Sequence, residues 1–298
     1  MKKAIIFGGN GQDGIFLERL LKENEVQSIS IARSSSVYRG DVADFAFVKD
    51  ALKTHRPDYI FHFAATSTTA HEALFENHEA ISTGTINILE GARLFTPKAK
   101  VFISGSAMQF ENNNFPINEN TPFAASSPYS IARIHAVYAA RYYREKFNLQ
   151  TYVGYFFNHD SEFRSNRHIN KKIIETVIRI GSGSKEVLEI GNYDVRKEFN
   201  YAGDIIQAVW LFINQDKIFE VVIGSGESHP IKEWIKLCFA GTGKNWKDFI
   251  SIKPNFVSEY DVLVSDNTLL KSIGWAPRVS ISQLVEIMRG SVSKNEAN

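Results

Sequence analysis

Tyr129 and Arg133 stand four residues apart in Tyr129-Ser130-Ile131-Ala132-Arg133, a spacing that puts both side chains on one helix face. A cation beside a phenol favours its ionised form, so the pair could pass a proton to or from an oxygen whose bonding changes. Ser106, in Ser104-Gly105-Ser106-Ala107-Met108, offers a hydroxyl to hold that oxygen. Near the start, Gly8-Gly9-Asn10-Gly11-Gln12-Asp13-Gly14 gives a G-x-x-G-x-x-G turn at Gly8, Gly11 and Gly14. The absent side chains permit a tight turn and close backbone approach to a pyrophosphate. A helix beginning there, with Gln12 and Asp13 in its first turn, adds N–H donors and a positive dipole end. Taken singly these are ordinary residues. Brought together they describe hydride chemistry with a nicotinamide dinucleotide.

The elements needed to bring them together are present. Lys3–Phe7, Ser28–Ala32, Tyr59–Phe63, Lys100–Ser104 and Thr151–Phe157 read as short β-runs. Between them Ile15–Glu23, Phe45–Thr54 (capped by Asp44 or Asp41), Ala73–Leu94 and Ser127–Phe147 carry helical periodicity. Strand–helix alternation at this spacing predicts right-handed crossovers and an α/β fold, a Rossmann-type doubly wound parallel sheet. The glycine turn then follows the first strand, Ser106 the fourth, and Tyr129 opens a long helix. After about residue 160 the alternation weakens into helices at Ile173–Ile180, Asp204–Ile213, Ile231–Phe239 and Ile281–Arg289, with strands at Val187–Ile190 and Phe219–Ile223. The expected organisation is a dinucleotide-binding domain over 1–160, with returns from about 185–225. A smaller substrate lobe mainly occupies 161–298, and Ser291–Asn298 is expected as a frayed polar tail.

The second strand ends Ile31-Ala32-Arg33-Ser34-Ser35-Ser36, without the acidic residue that would accept a bond from an NAD ribose hydroxyl. A guanidinium beside hydroxyls suits a 2′-phosphate, so Arg33 and Ser34 point to NADP(H). Asp41 and Val42 are candidates for the adenine pocket. Phe63, Ala64 and Ala65, small after the first of them, would let a cofactor lie against the third strand end.

These strings resemble the extended short-chain dehydrogenase/reductases. Within them the chain is similar to the GDP-mannose 4,6-dehydratases and their GDP-4-keto-6-deoxymannose reductase relatives. The glycine turn with Gln12-Asp13, Ser126-Ser127-Pro128-Tyr129, Phe157-Asn158-His159-Asp160-Ser161, Asp204 and Gly274-Trp275 all match, so the likeness spans nearly the whole chain. It implies a nucleoside-diphosphate sugar as substrate and Tyr129 as the proton carrier. Ser106 would polarise the reacting carbonyl, and Arg133 would hold nicotinamide ribose where the family has lysine. Asn158 matches a residue placing the sugar-nucleotide diphosphate, Lys171 and Lys172 a basic pair near the phosphates, and Lys197 a family arginine. The dehydratases carry an acidic residue two positions after the active-site Ser/Thr, where this chain has Met108, expected against the substrate. Elimination of water needs a group to take the C5 proton and an acid for the C6 hydroxyl, and a thioether does neither. A second family arginine is replaced near Phe256. The resemblance therefore implies a 4-keto reductase first, a 4,6-dehydratase with a displaced acid/base group second, and a catalytically degenerate binding protein third. It also implies a homodimer paired through the two long helices.

Composition excludes other classes. Lys plus Arg number 34 against 33 Asp plus Glu, a net charge of +1, which leaves no broad positive field for a nucleic-acid backbone. The single Cys238 cannot make an intrachain disulfide or a multi-cysteine zinc site, and His71-Glu72-Ala73-Leu74-Phe75 lacks the second histidine of a metal motif, so no metal is expected. His62, at the third strand end, reads as a packed histidine rather than a base. No apolar run is long enough to span a bilayer and no signal peptide is read, so a cytoplasmic location is expected.

Overall fold

Ile5 and Phe7 project from one side of the first strand, Ala4 and Ile6 from the other, and all four are buried. A strand apolar on both faces must be covered on both faces, as in the interior of a parallel sheet. The computed structural model, which describes residues 1–34 and 38–295, has that arrangement. Six strands, β1 (Lys3–Phe7), β2 (Gln27–Ile31), β3 (Tyr59–His62), β4 (Lys100–Ser106), β5 (Thr151–Phe156) and β6 (Glu220–Ile223), pair in parallel in the order β6-β5-β4-β3-β1-β2. From β1 the chain goes to β2 on one side, then crosses to β3 on the other. In open α/β sheets ligands bind at such a switch, outside the carboxyl ends of the strands.

The helices are α1 (Gln12–Glu23), α2 (Phe45–His55), α3 (Leu74–Asn77), α4 (Gly84–Phe95), α5 (Pro128–Phe147), α6 (Ile169–Gly181), α7 (Ala202–Ile213), α8 (Ile231–Phe239), α9 (Thr268–Ser272) and α10 (Ile281–Asn295). Ile5, Phe7, Val101 and Ile103 pack with Val48 and Leu52 of α2, Ile88 of α4 and Val137 of α5. Ala4, Ile6, Phe61 and Phe102 pack with Leu17 and Leu21 of α1 and with Ile205, Val209 and Phe212 of α7. The doubly wound class expected from the sequence is the fold the chain forms. A third cluster joins α6, α8 and α10 through Ile174, Val177, Trp234, Leu284 and Met288.

Most boundaries shift by a few residues from the sequence reading, and three of the differences bear on the site. The helix expected from Ile15 starts at Gln12, with Gly11 as its N-cap and no side chain bonding that cap, so its free amides open directly from the glycine turn. Strand β4 runs on to Ser106, which carries the serine to the carboxyl edge. The single helix expected over Ala73–Leu94 is divided by a π-helical turn at His78–Thr83. Beyond it Gly84 sits so close to Val42 that an added Cβ would lie 2.8 Å from Val42 Cγ1. At the far end, the tail expected from Ser291 continues as helix through Asn295; Glu296, Ala297 and Asn298, like Ser35, Ser36 and Val37, lie outside the described residues. Asp44, one of the two cap candidates, closes α2 by accepting from Ala46 N at 2.9 Å and Phe47 N at 3.3 Å.

Candidate active site

The glycine turn is shaped by what side chains would strike. Gly8 has φ +93°, and a Cβ there would lie 2.6 Å from Ala64 N. At Gly14 it would meet Gly9 Cα at 2.6 Å, so α1 packs directly on the turn. A Cβ on Gly11 would meet little protein but would point into open space. Gly11, Gln12 and Asp13 line a cleft of about 590 Å³, and Gly8 lines an adjoining recess of about 180 Å³. In that recess Arg33 and Ser34 meet Asp41, Val42, Ala64 and Ala65. The first turn of a helix with unspent amides, a cradle that admits only glycine at Gly8 and Gly14, and a neighbouring recess together fit a dinucleotide.

Ser106, Met108, Tyr129, Arg133 and Asn158 line the larger cleft with Phe63 and Ala65. Tyr129 is the second residue of α5, in a turn held rigid by reciprocal bonds. Ser130 N donates to Ser127 Oγ at 3.1 Å, and Ser127 N donates to Ser130 Oγ at 2.8 Å. Ser106 Oγ accepts from Met108 N at 3.2 Å, which leaves the hydroxyl proton free to donate. Gln109 is fully buried, its carboxamide oxygen accepting from Ser106 N at 2.9 Å, and so it is spent on the backbone. Arg133 is also buried. It donates from Nη1 to Ser104 Oγ at 2.7 Å and to Ser104 O, and its Cζ lies 5.1 Å from the Tyr129 ring centre. Its guanidinium is thus anchored to the end of β4 beneath the phenol.

His62 is wholly buried behind Arg133. Burial, aided by the Arg133 charge, pushes its imidazole down to about 3. Between pH 6.5 and about 3 the unfolded chain binds a proton that the folded one refuses, so this contribution to stability is complete above 6.5 and is lost as pH falls. His168, pushed down to about 4 mainly by burial, acts in the same direction. Urea unfolding at pH 5 and pH 7 should therefore show a less stable protein at the lower pH. His62→Gln should flatten that slope by up to about 1.4 kcal/mol per pH unit; an unchanged slope would remove His62 as its cause.

The basic residues are distributed differently from their expected roles. Lys171 faces inward in α6, Lys172 is exposed and Lys197 is buried, and none of the three lines the cleft. Burial lowers Lys197 to about 8, with Asp160 opposing. The cleft instead meets Arg164, Arg167 and His168 on this side, and Glu259 and Tyr260 at its far wall. The sequence motifs give none of these five a role, although the Asn158-His159-Asp160 string directly after β5 marks this strand end as a place to look. Phe256 packs over Gly191, where an added Cβ would meet its ring at 2.4 Å. Among the described residues no group of three or more His, Cys, Asp or Glu could hold a metal, and no helix is long and apolar enough to cross a membrane.

A family model described as GDP-mannose 4,6 dehydratase matches residues 5–288. The chain belongs to that family. GDP-mannose 4,6 dehydratase 1 of Arabidopsis thaliana is 29% identical over 319 residues, covering 96% of this chain and 88% of the plant protein. Among solved structures, the UDP-glucose 4-epimerase of Thermotoga maritima with UDP-glucose aligns with a TM-score of 0.87 at 21% identity over 99% of each chain. RMD from Pseudomonas aeruginosa, complexed with NADPH, aligns with a TM-score of 0.86 at 18% identity, over 99% of this chain and 100% of that one. At such identities the structural likeness carries the fold. Membership of an extended short-chain dehydrogenase/reductase family acting on nucleotide sugars rests on the family match.

Proposed function

We propose that this family member is an NADPH-dependent reductase acting at C4 of a 4-keto-6-deoxy hexose carried on a nucleoside diphosphate. The observation that carries the reading is Met108. The cleft position two residues beyond Ser106 holds a thioether, and neighbouring Gln109 is bound to the backbone, so neither can take the C5 proton or protonate a leaving C6 hydroxyl. The other carboxylates on the cleft wall are engaged: Asp13 with His159 at 3.0 Å, and Glu259 with Thr69 Oγ1 at 2.7 Å.

Bound NADPH supplies hydride. Gly8, Gly11 and the first turn of α1 would hold its diphosphate, Arg33 and Ser34 its 2′-phosphate, and Ala64 and Ala65 its flank against β3. Ser106 donates its free proton to the C4 oxygen, and Tyr129 delivers a proton to that oxygen as the carbonyl becomes an alcohol. Arg133, its guanidinium 5.1 Å from the ring centre, holds Tyr129 in place, and solvent returns the proton to the phenol. Asn158 would meet the sugar-nucleotide phosphates. The apolar face made by Ile131, Tyr138 and Tyr142 of α5 with Ile86 and Leu94 of α4 would pair with a second copy in a homodimer.

A 4,6-dehydratase is the second reading, favoured by the family match itself. The two differ in stoichiometry. With a 4-keto-6-deoxy nucleotide sugar, a reductase oxidises one NADPH per product. A dehydratase given GDP-mannose forms a keto sugar with no net change in the absorbance of the reduced nicotinamide. Conversion of GDP-mannose with no NADPH consumption on the keto sugar would replace the first reading by the second, and tight NADPH binding without turnover would make the protein a binding member.

A further inference from the structure

We infer that His159 is a positioning residue, held as an imidazolium, that neutralises Asp13 at the dinucleotide turn and ties this turn to the nucleotide-sugar side of the cleft. The inference rests on the cofactor assignment above. His159 Nε2 lies 3.0 Å from Asp13 Oδ1, and Nδ1 lies 2.8 Å from Phe157 O. A carboxylate and a carbonyl both only accept, so a neutral imidazole, with one N–H, can satisfy one of them; a ring that bonds both must carry two protons. The surroundings agree in direction. Burial opposes charge on both groups, yet each carries the other past that cost, with His159 raised and Asp13 lowered. The other charged or titratable groups acting on the pair are Arg133 from α5, Arg164, and His168 beside His159; Arg164 is itself paired with Asp160 at 2.7 Å.

The consequence concerns anions. Asp13 sits in the first turn of α1, where a dinucleotide diphosphate is to be received, and an unpaired carboxylate there would repel it. His159 cancels that charge without occupying the cradle. It is itself fixed by a chain of buried bonds. Gln12 Nε2 donates to His159 O at 3.2 Å, and Ser161 Oγ to Gln12 Oε1 at 2.9 Å. Arg164 Nη2 donates to the same His159 carbonyl at 2.7 Å, and Arg164 Nε and Asn170 Nδ2 hold the two oxygens of Asp160 at 2.7 and 2.6 Å. Asn170 is in the first turn of α6. The chain therefore runs unbroken from the cofactor turn to the segment bearing Asn158, whose buried Oδ1 has no protein partner and lines the cleft.

Calorimetric titration with NADPH tests this in wild type, His159→Gln and Asp13→Asn/His159→Gln, with melting temperatures to establish that each is folded. Glutamine keeps a hydrogen-bonding side chain but loses the charge. The expected result is NADPH binding weakened about tenfold or more in the single variant, and restored to within about threefold of wild type in the double variant, where the stranded carboxylate is gone. A histidine that merely supported the fold would not be rescued by a second substitution. Should folded His159→Gln bind NADPH as tightly as wild type, or the double variant bind as weakly as the single, the inference falls while the cofactor assignment stands. Absence of NADPH binding by wild type would instead remove the assignment and the inference with it.

Discussion

Replacing Tyr129 by phenylalanine should lower kcat about 10²–10⁴-fold with a 4-keto-6-deoxy nucleotide sugar, while NADPH affinity and melting temperature stay close to wild type. The substitution removes one oxygen from a side chain that is 8% exposed, so the ring goes on packing in the cluster beneath α5. The capped turn of Ser127, Pro128 and Ser130 does not involve the phenol, and the guanidinium of Arg133 keeps both its bonds to Ser104. What is lost is the proton for the C4 oxygen. Steady-state rates and a calorimetric NADPH titration on the same preparation separate the two effects, and unchanged turnover would take Tyr129 out of the chemistry.

The largest loss of stability is expected at Glu198, a residue with no catalytic part. It is fully buried, and its two oxygens collect donors from three segments. Ser265 N and Oγ approach Oε1 at 2.6 Å, Ser225 N approaches Oε2 at 2.7 Å, and Asn200 Nδ2 approaches Oε2 at 2.8 Å. Ser225 follows the end of β6, and the carboxylate is pressed so near it that an added Cβ on Gly224 would lie 2.4 Å from Oε2. Glu198→Ala strands these donors together in the interior, at a cost of about 3–5 kcal/mol. Glu198→Gln keeps an acceptor but turns an amide donor against the remaining donors, for about 1–3 kcal/mol. Urea unfolding of the two variants should give that order. An alanine variant within about 1 kcal/mol of wild type would contradict the assigned role.

The parts of the site held by backbone pattern are legible in the sequence. The glycine turn after the first strand, a serine just past the fourth strand run and a tyrosine opening a long helix all follow from strand–helix alternation, and all three line one cleft. Side chains whose direction depends on helix phase are less so. The resemblance makes Lys171 a phosphate contact; in the fold it stands three residues before Ile174 on the inward stripe of α6 and does not line the cleft, a placement set by helix phase. Lys197 matches a family arginine by position, yet in the fold it lies buried beside Asp160. Glu198 and His159 carry no local signal of their roles, because their partners are 27 and more residues away at their nearest long-range bonds. Local spacing carries no trace of such pairs. The close approach of Gly84 to Val42 is likewise a tertiary contact that local spacing does not announce.

The step on which the rest depends is hydride transfer to C4 of a sugar held between Ser106 and Tyr129. It can be followed by supplying NADPH deuterated at the transferable position together with a 4-keto-6-deoxy nucleotide sugar, and examining the product by mass spectrometry and proton NMR. One deuterium is expected at C4 of an alcohol, with an equal amount of NADP⁺. A keto product, or an alcohol without deuterium at C4, would refute the transfer.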